Sequence, residues 1–137
     1  MTFDAQMRIG SVEITAALMA IAAVAARPRQ RASREIGRLT PLRIALRIAN
    51  FSGESRYEGL CPLLIGRSSE ADVVLADPET SRRHARLECE DGIVYLRDLE
   101  SSNGTFLNGR LVREAIEVRA GDAIDIGTTR LVVEELR

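Results

Sequence analysis

Turn signals cut most of this chain into pieces too short for helices. Asp91-Gly92, Asn103-Gly104 and Asn108-Gly109 sit between apolar runs, and Ser52-Gly53, Asp77-Pro78, Gly121-Asp122 and Gly127 add further breaks. Asp-Gly and Asn-Gly are strong hairpin signals, because both residues tolerate the positive φ of a tight strand-to-strand turn. The pieces between the turns have a period of two. Leu42, Ile44, Leu46 and Ile48 fall on one face, with Arg43, Ala45 and Arg47 on the other, as in a half-buried strand. No stretch after residue 42 sustains helical periodicity. Strands are expected near 42–49, 55–60, 62–66, 72–75, 84–89, 93–98, 105–107, 110–112, 114–118, 123–126 and 129–135. So many short strands predict an all-β sandwich or barrel.

A chain of 137 residues has room for one ordinary domain and a short appendage. Aromatic residues make up only 4% and Trp is absent, so the core must be built from Ile, Leu and Val. Charge is unevenly spread. Residues 1–50 hold eight Arg against three acids, and residues 51–137 hold eleven Arg against seventeen acids. The strand-rich part is therefore acidic, which argues against a nucleic-acid binder. Every basic residue is Arg, so any cationic contact to an anion must come from a planar guanidinium fork.

Cys61 and Cys89 are the only cysteines and His84 the only histidine, with no CxxC and no metal-ligand spacing. No metal and no cofactor are expected. The two cysteines, isolated in strand-like runs, read as reduced core residues of an intracellular protein.

The first 40 residues differ from the rest. Residues 1–26 are Ala-rich and end in an apolar run from Ala16 to Ala26; residues 27–41 are basic, carry Pro28 and Pro41, and read as a linker. If the leading segment is helical, Ile14, Leu18, Ile21 and Ala25 share one face. Such a stripe could dock on the sandwich, pair with another copy or lie in a bilayer. Ile9 to Ala26 is at the lower edge of a membrane-spanning length, and Glu13 interrupts it. The Arg-rich flank fits a cytoplasmic location for the strand-rich part. A signal peptide is disfavoured, since Asp4 and Glu13 lie where a basic region belongs. The expected division is 1–40 as an N-terminal helical segment with its basic linker, and 41–137 as the domain.

Reading a phosphorylated side chain without consuming it requires a charge-assisted donor, several neutral donors and a rigid frame, since the phosphate brings about −1.5 to −2 charges and three strong acceptors. Arg supplies the charge and a fork matching two oxygens. Ser hydroxyls and turn amides supply neutral donors, and an Asn amide can fix the register of a peptide backbone. Gly66-Arg67, Ser81-Arg82-Arg83-His84 and Ser101-Ser102-Asn103-Gly104-Thr105 place these groups at three turns. Loops at one end of a sandwich converge in space, so the three can meet. Taken singly, each residue has a plainer role: Arg67 could pair with Glu70 or Asp72 on the surface, and Asn103-Gly104 could be a hairpin turn and nothing more.

With Gly-Arg, Ser-Arg-x-His and Ser-x-Asn-Gly-Thr in this order, followed by Phe106-Leu107-Asn108-Gly109, residues 42–137 resemble a complete forkhead-associated (FHA) domain. The resemblance implies an eleven-stranded β-sandwich that binds phosphothreonine peptides. It implies that Arg67, Ser81 and Ser102 contact the phosphate, that Arg82 lies beside it, and that Asn103 bonds the ligand backbone. Gly66, His84, Gly104 and Thr105 would brace the loops. The partner would be a phosphothreonine-containing protein downstream of a Ser/Thr kinase, with the module acting as adaptor or regulator in the cytoplasm, free or tethered to the membrane through residues 9–26. Of Thr2, Thr15 and Thr40 in the leading region, a phosphorylated Thr2, with the longest tether, would be the best candidate internal ligand, and Thr40 lies too close to the first strand to reach back.

Two other readings compete. A scaffold of the same fold could work without phosphate. A hydrolase could use Ser55 or Ser81 with His84, but Ser55 lacks the second glycine of a nucleophile elbow. Ser81 and His84, three apart in an apparent strand, should leave opposite faces, so no enzyme is expected.

Overall fold

The computed structural model describes residues 41–137. The expectations for the Ala-rich helix, the membrane span at 9–26, the linker as far as residue 40, and Thr2, Thr15 and Thr40 lie outside the described residues. Eleven strands follow one another: β1 Arg43–Asn50, β2 Gly53–Leu60, β3 Leu63–Gly66, β4 Val73–Val74, β5 Ala85–Glu90, β6 Ile93–Asp98, β7 Thr105–Leu107, β8 Arg110–Leu111, β9 Ile116–Val118, β10 Ala123–Ile126 and β11 Thr129–Leu136. One sheet has the order β2-β1-β11-β10-β7-β8 and the other β4-β3-β5-β6-β9.

The two sheets bury alternate residues against each other. Ile44, Leu46, Ile48, Leu107, Ile124, Ile126, Leu131 and Val133 come from the first; Leu63, Ile65, Val73, Ala85, Leu87, Val94, Leu96 and Val118 come from the second. The core is aliphatic, as a chain with few aromatics requires. Each fully buried Leu or Ile contributes roughly 1.5–3 kcal/mol by leaving water. Turns carry the expected left-handed backbone at Gly92, Gly104 and Gly109, and also at Asp91 and Asn108.

Two expectations are corrected. Cys61 and Cys89 are not reduced core thiols but are joined as a disulfide, with Cα atoms 6.1 Å apart. The reason is register: β3 pairs antiparallel with β5 through Leu63 opposite Leu87, and two residues further along, Cys61 comes opposite Cys89. Residues 81–84 are not part of a strand either, because β5 begins at Ala85. Among the described residues, no helix is long and apolar enough to cross a membrane.

Candidate functional site

Three loops meet at one end of the sandwich, and backbone bonds sew them together. The β3–β4 loop lies on the segment before β5, with the Arg67 N–H donating to the Ser81 carbonyl at 3.0 Å and the Ser68 N–H to the Arg82 carbonyl at 3.1 Å. The His84 N–H donates to the Ile65 carbonyl at 2.9 Å. Gly66 permits this approach. A Cβ there would be driven into the Arg82 carbonyl, so only glycine fits.

His84 is fully buried and ties two loops together. Its Nδ1 accepts the Ser81 N–H at 3.0 Å, which assigns the ring proton to Nε2, and Nε2 donates to the Gly104 carbonyl at 2.9 Å. This replaces the expectation that Ser81 and His84 leave opposite faces of a strand. Both ring nitrogens are committed to the backbone, so the imidazole has no free nitrogen to act as a base.

The β6–β7 turn is organised by Asp98. Its carboxylate accepts the Ser101 hydroxyl at 2.6 Å, the Ser101 N–H at 3.0 Å and the Thr105 hydroxyl at 2.6 Å. The Ser101 hydroxyl also accepts the Gly104 N–H at 3.0 Å. Burial alone would raise the Asp98 carboxyl, but the Ser101 and Thr105 donors outweigh it and hold the group below the usual carboxylate range. Gly104 has φ of +83°, and a Cβ there would press on Leu111 at 2.8 Å.

Asp77, unlike the half-buried Asp98, is a fully buried carboxylate. It accepts the Thr128 N–H and hydroxyl, both at 2.7 Å, the Thr129 hydroxyl at 3.1 Å and the Glu79 N–H at 2.9 Å. Here too burial would raise the carboxyl, and the Thr128, Glu79 and Thr129 donors lower it overall. This clamp fixes the β4–β5 loop to the β10–β11 turn. The sequence reading missed Asp77, Asp98 and the part played by Ser101. Only the Asp98-x-x-Ser101 spacing, suited to a side chain closing on a backbone turn, gave a local signal.

Above these supports lie the expected ligand-facing residues. Arg67 is exposed, its Nε donates to the Thr80 carbonyl at 3.2 Å, and its two terminal nitrogens keep four N–H groups free of that bond. Among the described residues it has no carboxylate within ion-pair distance, so the plainer surface pairing with Glu70 or Asp72 does not form; Asp72 instead accepts the Leu64 N–H at 2.7 Å. Ser81 Oγ accepts the Ser102 N–H at 3.0 Å and stands 3.5 Å from Ser102 Oγ, placing two hydroxyls side by side. Asn103 donates one amide hydrogen to the Glu79 carbonyl at 2.8 Å, leaving its own carbonyl and second hydrogen uncommitted. Arg82 and Arg83 are both exposed. Arg67, Ser81, Ser102 and Asn103 are thus gathered by direct bonds between their loops. Such an arrangement can hold a tetrahedral anion and an adjoining extended backbone; it contains no activated nucleophile.

Residues 63–127 match the family model described as the FHA domain. The FHA domain-containing protein FhaB of Mycobacterium tuberculosis is 41% identical over 70 residues, covering 51% of this chain and 45% of FhaB's own length, so the likeness reaches only about half of that relative. A structure from a study of phosphothreonine-dependent FHA domain interactions superposes with a TM-score of 0.61 at 30% identity, covering 68% of this chain and 96% of that one. The FhaA FHA domain, complexed with the intracellular domain of Rv3910, superposes with a TM-score of 0.59 at 31% identity, covering 66% and 99%.

Proposed function

This chain belongs to the FHA domain family, and from that premise we propose that residues 41–137 are a non-catalytic module that binds a phosphothreonine-containing protein, as an adaptor or regulator downstream of a Ser/Thr kinase. The terminal nitrogens of Arg67 bridge two phosphate oxygens, and the Ser81 and Ser102 hydroxyls donate to the phosphate from beside it. Asn103 bonds the peptide backbone and sets its register. Arg82 adds charge next to the phosphate. Gly66, His84, Gly104 and Thr105 keep the loops in place before the ligand arrives, so little ordering has to accompany binding.

The observation that carries this reading is the Arg67 guanidinium. It is aligned by the Thr80 carbonyl, lacks a carboxylate partner among the described residues, and belongs to the loop stitched to Ser81. Other arginines of the domain are also unpaired; what singles out Arg67 is that its fork is aligned on the loop bonded to Ser81, whose hydroxyl stands beside that of Ser102, a combination suited to an anion. The FhaA domain's complex with an intracellular domain supports a cytoplasmic setting. Attachment to the cytoplasmic face through residues 9–26 belongs to the same proposal, and fractionation of the chain with and without residues 1–38 tests it.

The direct test is a titration with matched threonine and phosphothreonine peptides from a library, followed by phosphoserine versions of the best binders. Binding should require the phosphate, favour phosphothreonine, and disappear in Arg67→Glu while the melting temperature holds. Equal affinity for phosphorylated and unphosphorylated peptides would sink it and leave the phosphate-independent scaffold.

A further inference from the structure

The Cys61–Cys89 bond has no part in the proposed binding chemistry, yet its place in the chain is informative. The loop it closes spans 28 positions and contains Gly66, Arg67, Ser81, Arg82 and His84, which is two of the three loops of the site. Cys61 lies just before β3 and Cys89 near the end of β5, so the bond extends the register that begins at Leu63 opposite Leu87. The same register, traced in the other direction, places Ile65 opposite Ala85 and delivers Arg67 onto Ser81. The disulfide therefore pins, from the far end, the strand pair that aligns the phosphate-facing loops.

Neither cysteine is fully buried; both pack on the core from one side. Cys61 precedes the first residue of β3 and Cys89 is followed in β5 by Glu90 alone, so the bond sits at the end of the strand pair, where neither residue is fully covered. A disulfide in a reducing compartment is exchangeable where a thiolate can approach it.

We propose that Cys61 and Cys89 form a thiol–disulfide exchange site, with a dithiol as its co-reactant, whose state sets how firmly the segment between them holds the phosphate-facing loops. A thiolate of the dithiol attacks the Cys89 sulfur, the S–S bond breaks, and Cys61 departs as a thiolate that takes up a proton. The second thiol of the reductant then displaces Cys89 from the mixed disulfide. Two cysteine thiols result, and the reductant leaves as its own disulfide. Re-formation is the reverse, with a disulfide-bearing oxidant accepting the two electrons. The coupling to ligand rests on the phosphopeptide reading; the exchange and its effect on the segment do not.

The test uses the full chain, without denaturant, and dithiothreitol as the dithiol. Two thiols should become alkylatable while the β-sheet signal in circular dichroism persists. Hydrogen exchange at the amides of Arg67, Ser68, Leu75 and His84 should then quicken roughly tenfold, and by less at Leu46 and Val133, which lie outside the closed loop. The double variant Cys61→Ser/Cys89→Ser should match the reduced protein. For a phosphothreonine peptide that binds the oxidised chain, affinity should drop severalfold on reduction, and saturating peptide should oppose reduction by the same factor. The proposal is overturned if thiols emerge only when the chain unfolds, or if exchange quickens uniformly or not at all. Absence of peptide binding to the oxidised chain would strike the functional reading alone, with alkylation and hydrogen exchange still deciding this one.

Discussion

The exposed rim of the site and the buried bed beneath it use their polar groups in opposite ways. On the rim, Arg67, Arg82 and Arg83 face solvent with no carboxylate at ion-pair distance among the described residues. Elsewhere on the domain, Arg47, Arg56, Arg97, Arg119, Arg130 and Arg137 each pair with a Glu or Asp, while Arg43, Arg86, Arg110 and Arg113 stand unpaired among the described residues. The rim is therefore set apart by its three neighbouring arginines lying over the bonded loops. In the bed, Asp77, His84, Asp98 and Thr105 are committed to hydrogen bonds, and both carboxylates are satisfied by hydroxyls and backbone N–H groups, not by guanidinium groups. A bed that neutralised its acids with arginine would consume the charge the rim needs. Stiff, satisfied support under uncommitted cations is how a site stays open for an anion without collapsing on itself.

The largest effect should come from breaking the bed. Asp98→Ala removes the acceptor for the Ser101 hydroxyl, the Ser101 N–H and the Thr105 hydroxyl at once. Orphaned donors cost about 1–3 kcal/mol each where water cannot reach them, so a loss of roughly 3 kcal/mol is expected. For a domain near 100 residues that is about 15 °C of melting temperature. Asp98→Asn, which keeps one oxygen acceptor, should lose less. A melting temperature unchanged in Asp98→Ala would mean that the β6–β7 turn is held by its backbone alone.

The rim should fail in affinity and leave stability alone. Arg67→Ala removes an exposed side chain whose one bond is to the Thr80 carbonyl, so stability should move by less than about 0.5 kcal/mol. Phosphopeptide affinity should fall by about 2 kcal/mol, the worth of a charge-assisted hydrogen bond, or roughly thirtyfold. Calorimetric titration beside thermal melts separates the two. If Arg67→Ala destabilised the fold as much as Asp98→Ala, rim and bed would be one structural unit.

What sequence could foresee divides along the same line. The strands were legible because Asp91-Gly92, Asn103-Gly104 and Asn108-Gly109 announce their turns locally, and the expected strands meet the observed ones to within about two residues at their ends. The gathering of Arg67, Ser81, Ser102 and Asn103 was foreseeable from three motifs in order, although their contact with phosphate stays a proposal. The bed was nearly invisible. Asp77 reads as an ordinary turn residue until it meets Thr128, 51 positions away. Cys61 and Cys89 look unrelated until β3 pairs with β5. Ser81 to His84 looked like strand because no Gly or Pro breaks it, and the bond from Ser81 to the ring of His84 is what bends it.

Acid should loosen the bed through its two carboxylates. Asp77 and Asp98 both sit below their ordinary value of 3.8 in the folded chain, because their hydroxyl and backbone donors outweigh burial. The unfolded chain therefore takes up protons first, and the contribution of these carboxylates is complete above that value. It drains away as pH falls below 3.8 toward the folded pKa of each group. Melting curves from pH 7 to pH 2 should steepen in that window, and Asp98→Asn should flatten the profile. An identical acid profile in the variant would remove Asp98 from this account.

The smallest effect concerns the two neighbouring rim cations. The Arg82 carbonyl holds the Ser68 N–H, which fixes its backbone against the loop of Arg67; Arg83 has no such tie and leads into the buried His84. Both side chains stand in water, so their help is screened over about 8 Å at physiological salt and is worth less than about 1 kcal/mol. Arg82→Ala should weaken phosphopeptide binding by roughly threefold at low salt, and by nothing measurable at about 1 M salt. Arg83→Ala should change it by less than about twofold in either condition, as a solvated charge would. A loss in Arg83→Ala equal to that in Arg67→Ala, persisting at high salt, would move the anion toward the β5 side and make the rim a two-arginine clamp.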